Sequence, residues 1–219
     1  MKLHPTPFDI SHVRRRVLHG AATMLLVASG LVRAESLRAT PAVALGPFYP
    51  AKKPADNDAD LTQVAGQSGR AQGTILYVTG RVLDTRGRPV GGAVLELWQA
   101  NASGRYLHPA DSDSSGPLDP NFQGYGTLHA GNDGQFRIKT IKPPPYSGRT
   151  PHIHFIVANG RTRLTTQMFF EGEAGNERDG LYRYLSVDDR RASTGRYVDR
   201  ARAAEDGSLA VVWDIVLAA

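Results

Sequence analysis

The chain contains no cysteine. Disulfides, thiolate metal sites and cysteine nucleophiles are therefore excluded, and a metal would have to be held by histidine, tyrosine, carboxylate or water. A long hydrophobic run is also missing. The longest apolar stretch, Gly20–Leu31, falls well short of the roughly 20 residues that a membrane-spanning helix needs. Nor does one sign of charge dominate the body of the chain. The formal charge of +5 is concentrated in residues 1–34, which carry Lys2, Arg14, Arg15, Arg16 and Arg33 against Asp9 alone. The remaining residues hold 21 basic and 20 acidic side chains, which leaves no electrostatic case for nucleic acid.

Those first 34 residues do have a pattern of their own. Arg14-Arg15-Arg16-Val17-Leu18 precedes the apolar run, and Val32-Arg33-Ala34 is a small-residue cleavage site of the A-x-A type. A basic segment, a short apolar one and such a site compose an export signal. Two arginines, one further residue and two apolar ones resemble the twin-arginine variant, with an ordinary secretory signal as the alternative. The expectation is a mature start near Glu35, a periplasmic protein and no membrane attachment once the signal is removed. With no cysteine to acylate, a lipoprotein anchor is excluded.

The chain of 219 residues suits one well-buried domain or two small ones. Frequent glycine (23) and proline (14) favour many turns and short strands over a helical bundle. Residues 35–72 are mixed and poor in apolar runs, and read as an irregular N-terminal arm laid over the domain. From residue 73 to 219 the pattern is β. Strands are expected at Thr74–Leu83, Ala93–Trp98, Gln135–Thr140, Ile153–Ala158, Thr165–Phe170 and Leu209–Leu217, with a helix or long loop in the charged region 174–206. In the second strand Ala93, Leu95 and Leu97 form an apolar face, and Val94, Glu96 and Trp98 a mixed one. The expected fold is all-β, a two-layer β-sandwich with Greek-key connections of the transthyretin or immunoglobulin kind. The sequence leaves a homo-oligomer open.

Candidate metal ligands lie in two places. His152-Ile153-His154 begins an expected strand, so both imidazoles share a face while Ile153 points into the opposite layer. Such a pair is commonplace and by itself a weak sign. Tyr146 closes Lys142-Pro143-Pro144-Pro145-Tyr146, where fixed proline φ angles stiffen the loop and aim the phenol. Tyr106 ends the turn Asn101-Ala102-Ser103-Gly104-Arg105. A phenol with a pKa of about 10 ionises at neutral pH only beside a strong Lewis acid. Two phenolates with two imidazoles point to a hard ferric ion, one per chain, rather than zinc or ferrous iron. Taken singly, each tyrosine reads better as a half-buried aromatic with its hydroxyl at the surface. His108 and His129 are assigned to loops without roles.

These residues lie within four stretches: GRVLDTRGRPVGGAVLELWQANASGRY, DPNFQGYG, FRIKTIKPPPYSGRTPHIHF and TTQMFFEGE. Together they resemble the intradiol ring-cleavage dioxygenases, most of all the protocatechuate 3,4-dioxygenase branch, from about Thr40 to Leu185. The resemblance implies that Tyr106 is the equatorial tyrosinate, Tyr146 the axial one, and His152 and His154 the histidine ligands of one Fe(III). It implies a catechol-type substrate (protocatechuate, catechol or hydroxyquinol) that displaces Tyr146, which then serves as base. O₂ opens the ring to a cis,cis-muconate. Arg149 would stabilise charge on the bound ring. Gln167 would orient an oxygen intermediate, or else act as a structural amide. Two departures are plain: Ser147 and Gly148 stand where the branch often has tryptophan, and the helical N-terminal segment of catechol 1,2-dioxygenases is absent. Two other classes remain open at this point, a non-catalytic transthyretin-like binding module and an exported copper or zinc protein using His152 and His154 alone.

Overall fold

Apolar and polar side chains alternate in part of the sheet, most plainly over Gln135–Ile141. The computed structural model describes residues 36–112, 116–198 and 207–218, all within one unit, Ala34–Ala219. The expected export signal lies outside the described residues. Among the described residues nine strands run as β1 (Ile75–Asp84), β2 (Val94–Trp98), β3 (Tyr125–His129), β4 (Gln135–Ile141), β5 (His152–Asn159), β6 (Thr162–Phe170), β7 (Thr194–Tyr197), β8 (Leu209–Val212) and β9 (Ile215–Leu217). The order across the sheet is β3-β2-β5-β6-β7-β8-β1-β4, with β9 beside β1. Among the described residues, one α-helix, α1 (Val187–Ser193), and two single-turn helices (Asn176–Arg178 and Tyr182–Tyr184) lie in the charged region after β6. Ser186 caps α1 by accepting the amide of Asp189, satisfying one of the free donors at a helix start.

Both halves of the sheet contribute to one apolar core. Leu95, Leu97, Ile153, Phe155, Val157, Met168 and Phe170 come from β2, β5 and β6, and Leu76, Val78, Phe136, Ile138, Val211 and Ile215 from the other half. The period of two then sends His152, His154 and Ile156 to the opposite face of β5, where Ile156 joins a second, aromatic cluster with Trp98, Tyr106 and Tyr125. A register slip of one residue would bury the two imidazoles in the core in place of Ile153 and Phe155. Each of those apolar side chains contributes roughly 1.5–3 kcal/mol by burial, so the core fixes which face carries the histidines.

Three expectations need correction. Residues 125–129 form β3, so the exposed His129 ends a strand rather than sitting in a loop. Residues 194–197 form β7. The expected strand Leu209–Leu217 is two strands, broken at Trp213 and Asp214. There the Trp213 amide still bonds Thr79 O at 2.9 Å while the Asp214 carboxylate takes the amide and guanidinium of Arg81, each at 2.9 Å. Residues 57–61 of the arm cover both sheet edges. The Thr127 amide of β3 donates to Asn57 O at 2.7 Å, and on β4 the Lys139 amide donates to Ala59 O at 2.8 Å while its carbonyl accepts from Leu61 at 2.8 Å. Unpaired edge groups are satisfied in this way.

Candidate metal centre

The cross-strand register sets the floor of the site. Trp98, His154 and Gln167 stand abreast on β2, β5 and β6, and His152 lies opposite Phe169. Trp98 stacks on the His154 ring at 4.8 Å with an interplanar angle of 12°. From the arm, Gly46 approaches the other imidazole atoms so closely that an added Cβ would stand 3.0 Å from His154 Cε1. Phe48, two residues on, packs against the Tyr106 ring at 4.8 Å.

The two tyrosines arrive on tight turns. Asn101 folds the chain back so that its side chain accepts the amides of Ser103 and Arg105 at 2.9 and 3.0 Å, and the Tyr106 amide is anchored on Asp111 at 2.6 Å. Tyr146 and Arg149 form the two ends of a two-residue turn, with the Arg149 amide donating to Tyr146 O at 2.7 Å. Both central residues have positive φ, Ser147 at 45° and Gly148 at 78°, the requirement of a type I′ connection. The residues that depart from the protocatechuate pattern are therefore those that make the turn. Tyr146 and Arg149, three apart in sequence, become facing neighbours.

Four donor atoms close a ring. Tyr106 Oη is 2.8 Å from Tyr146 Oη, Tyr146 Oη is 3.1 Å from His152 Nε2, His152 Nε2 is 3.2 Å from His154 Nε2, and His154 Nε2 is 3.1 Å from Tyr106 Oη. Atoms that ligate one ion at about 2.0–2.1 Å stand about 3 Å apart when they subtend right angles. Among the described residues no group of three or more His, Asp or Glu gathers to hold a metal. Only when the phenols are counted does the donor set reach four.

The local electrostatics suit a cation. His152 Nδ1 lies 2.7 Å from Thr150 O, which assigns the proton to Nδ1 and leaves the Nε2 lone pair facing the ring. His154 Nδ1 is buried without a partner. Burial, reinforced by the Arg149 charge, lowers the pKa of His152 to about 4. Burial and then His152 and Arg149 hold His154 well below the ordinary imidazole value. Both rings are neutral, the form that binds metal. Burial also raises Tyr106 well above the ordinary phenol range, with Tyr146 adding to it, and burial raises Tyr146. Without a cation both phenols keep their protons.

Arg149 and Gln167, both named from sequence, meet here. Arg149 Nη2 donates to Gln167 Oε1 at 2.7 Å, and Gln167 Nε2 donates to Ala44 O at 2.7 Å, so this buried amide links β6 to the arm. Sequence reasoning missed Asp179, whose buried carboxylate accepts Arg149 Nε at 2.7 Å. It also missed Thr150 and the arm residues Gly46 and Phe48. Asp179 lies in a charged stretch where nothing distinguishes it from its exposed neighbours. A hollow of about 320 Å³ borders Tyr106, lined also by Phe48, Trp98, Leu107 and Tyr125. Another of about 270 Å³ borders Tyr146, Arg149 and Thr150.

The family model described as Dioxygenase matches residues 44–219. The chain belongs to this family. It is 43% identical over 136 residues to a protocatechuate 3,4-dioxygenase beta chain of Burkholderia cepacia, the match covering 58% of this chain and 57% of the relative. It is 34% identical over 150 residues to a hydroxyquinol 1,2-dioxygenase of a Rhizobium species, covering 60% and 48%. The chain thus spans roughly half the length of these curated relatives. Among solved structures, the dioxygenase domain of a carbohydrate-binding fusion protein from Streptomyces sp. SirexAA-E matches with a TM-score of 0.60 and 30% identity, over 83% of this chain and 99% of that one. A hydroxyquinol 1,2-dioxygenase of Pseudomonas putida DLL-E4 shares the fold, with a TM-score of 0.64 at 24% identity over 84% and 68%.

Proposed function

We propose that the chain binds one ferric ion through Tyr106, Tyr146, His152 and His154 and cleaves a catechol-type ring between its two hydroxylated carbons, adding both atoms of O₂ to give a cis,cis-muconate. The observation that carries this reading is the closed ring of two phenol oxygens and two imidazole nitrogens with sides of 2.8–3.2 Å. Ferric iron bound there would supply the Lewis acidity that ionises phenols and a catechol at neutral pH and makes the chelated ring reactive towards O₂.

The two phenols are unequal, which supports different roles. Tyr106 is 2% exposed and packed by Phe48 and Tyr146. Tyr146 is only partly buried and sits on a two-residue turn. Of the two phenols that would hold the iron, Tyr146 is the one with room to move, and its oxygen would take a proton from the incoming diol. Arg149, within electrostatic reach of both histidines, stabilises negative charge that develops on the ring. Gln167 holds Arg149 by a hydrogen bond, so its positioning role is favoured over contact with oxygen. Trp98 keeps the His154 ring flat against the floor.

The family match and the phenol contribution to the ring weigh against a binding module without activity and against a site made of His152 and His154 alone. The fold is read further as a two-layer sandwich of the transthyretin type, from the core shared by both halves of the sheet. Residues 1–34 are read as a twin-arginine export signal that delivers the protein to the periplasm, on the arginine pair and the A-x-A site. The test of function is O₂ uptake and product mass with protocatechuate, catechol and hydroxyquinol, iron being measured in the same sample. Stoichiometric O₂ consumption and a muconate product are expected. Iron-loaded protein that consumes no O₂ with any of the three would overturn the activity.

A further inference from the structure

We propose that Asp179 is a positioning residue for this chemistry, setting Arg149 directly and the His152 imidazole through Thr150; the inference rests on the function proposed above. Asp179 is fully buried, and each of its oxygens takes two donors. Oδ1 accepts the amides of Leu181 and Tyr182 at 2.9 and 3.0 Å, which is all that the turn beginning at Asp179 requires. Oδ2 is given wholly to the site. It accepts Arg149 Nε at 2.7 Å and the Thr150 amide at 3.0 Å.

Both contacts lead to reacting groups. With Nε on Asp179 and Nη2 on Gln167 Oε1 at 2.7 Å, the guanidinium is held from two sides and its plane is set. Gln167 is itself tied to the arm through Ala44 O at 2.7 Å. Thr150, fixed through its amide, accepts His152 Nδ1 on its carbonyl at 2.7 Å and donates its hydroxyl to Asn176 Oδ1 at 2.9 Å. Asn176 in turn donates to Phe170 O at 2.8 Å. The segment Asn176–Asp179 thus braces one charge-stabilising residue and one imidazole at once. Outer partners of this kind orient ligands and cost roughly 10–100-fold in affinity or activity when removed.

The test compares Asp179→Asn, Arg149→Ala, Arg149→Lys and the double variant Asp179→Asn/Arg149→Ala with the wild-type chain, each loaded with iron. Asp179→Asn is expected to keep the visible tyrosinate–iron band while kcat per bound iron falls roughly 10–100-fold. The double variant is expected to be slower than Arg149→Ala by less than the factor that Asp179→Asn costs the wild type, because the route through Arg149 is already lost while the one through Thr150 and His152 remains. Arg149→Lys keeps the charge but lacks the Nε–H that Asp179 holds, so its kcat per iron is expected to fall as well. It covers the case in which Asp179→Asn does not fold. Wild-type kcat per iron in Asp179→Asn, or in Arg149→Lys if the former does not fold, overturns the proposal. If the wild-type chain turns over no catechol, the function above fails, and the positioning claim is read instead from the arginine Nε–H NMR signal of the iron-free, full-length chain. That signal is expected to exchange slowly in the wild type and rapidly in Asp179→Asn; an unchanged signal refutes the positioning role.

Discussion

Substituting Gly46 by alanine tests the contact between the arm and the candidate metal centre. Gly46 has φ of +78°, and a Cβ there would stand 3.0 Å from His154 Cε1, so the imidazole must give way by a few tenths of an ångström. It has little freedom to do so, because Trp98 is stacked on its face at 4.8 Å. The left-handed backbone costs alanine about 1–2 kcal/mol, and an off-rotamer tilt of the ring about 0.5–1.5 kcal/mol more. The sum is about 1.5–3.5 kcal/mol, or a Tm lower by about 3–14 °C for a chain of this size. Gly92 provides the control. Its φ is +70°, yet a Cβ there meets nothing within 4 Å, so Gly92→Ala pays the backbone cost alone. Thermal unfolding of both variants, with iron retention on dialysis against a chelator, separates the two effects. Gly46→Ala is expected to unfold at the lower temperature and to lose iron faster, whereas Gly92→Ala retains iron as the wild type does. Equal Tm and equal iron retention in the two variants would show that the arm does not press on His154.

Tyr146→Phe removes the phenol that bonds both Tyr106 and His152; it is expected to weaken iron binding and shift the visible band, while a site built on His152 and His154 alone would show no change in either. Asp179 contributes to acid stability. Burial alone would raise its pKa, but the amides of Tyr182 and Thr150 and the Arg149 guanidinium hold it below the ordinary carboxylate value. Its contribution is therefore complete above the unfolded pKa of about 3.9 and is lost as pH falls through the lower folded value; acid unfolding followed by circular dichroism should be less steep in Asp179→Asn over that window. Glu96 gathers Tyr49 Oη at 2.6 Å, Tyr125 Oη at 2.8 Å and Lys53 Nζ at 2.9 Å, pinning the arm to β2. Glu96→Ala is expected to expose the region of Tyr49–Lys53 to limited proteolysis while leaving the core intact, and unchanged cleavage would count against that anchoring.

How much of this was legible in the sequence depends on the range of the interactions. Alternation along β5 was enough to place His152 and His154 on one face with Ile153 opposite, because the period of a strand is a local property. The same holds for Leu95 and Leu97 against Glu96 and Trp98. The missed strands each contain a glycine, which weakens a strand signal. At Gly126 of β3 a Cβ would stand 2.6 Å from Asp58 O, and at Gly195 of β7 it would stand 2.6 Å from Val211. Packing demands the residue that hid the strand. The break at Trp213 was hidden for another reason, since both segments are apolar and pair with one strand, β1. The approach of Tyr106 to Tyr146, 40 residues on, was not derivable from spacing and entered only through the family resemblance. Asp179 was illegible because its importance comes wholly from the residues it meets in space, 29 and 30 positions earlier.

In the proposed function, two phenols and two imidazoles bind one ferric ion that serves ring cleavage. The most direct test is the visible spectrum of the purified chain, read together with iron per chain, for the wild type and for Tyr106→Phe/Tyr146→Phe. One iron per chain is expected, with a tyrosinate-to-iron charge-transfer band that a catechol shifts in the absence of O₂ and that is lost in the double variant. A wild-type chain that remains colourless when loaded with ferric iron, or a double variant with unchanged iron content and colour, would contradict it.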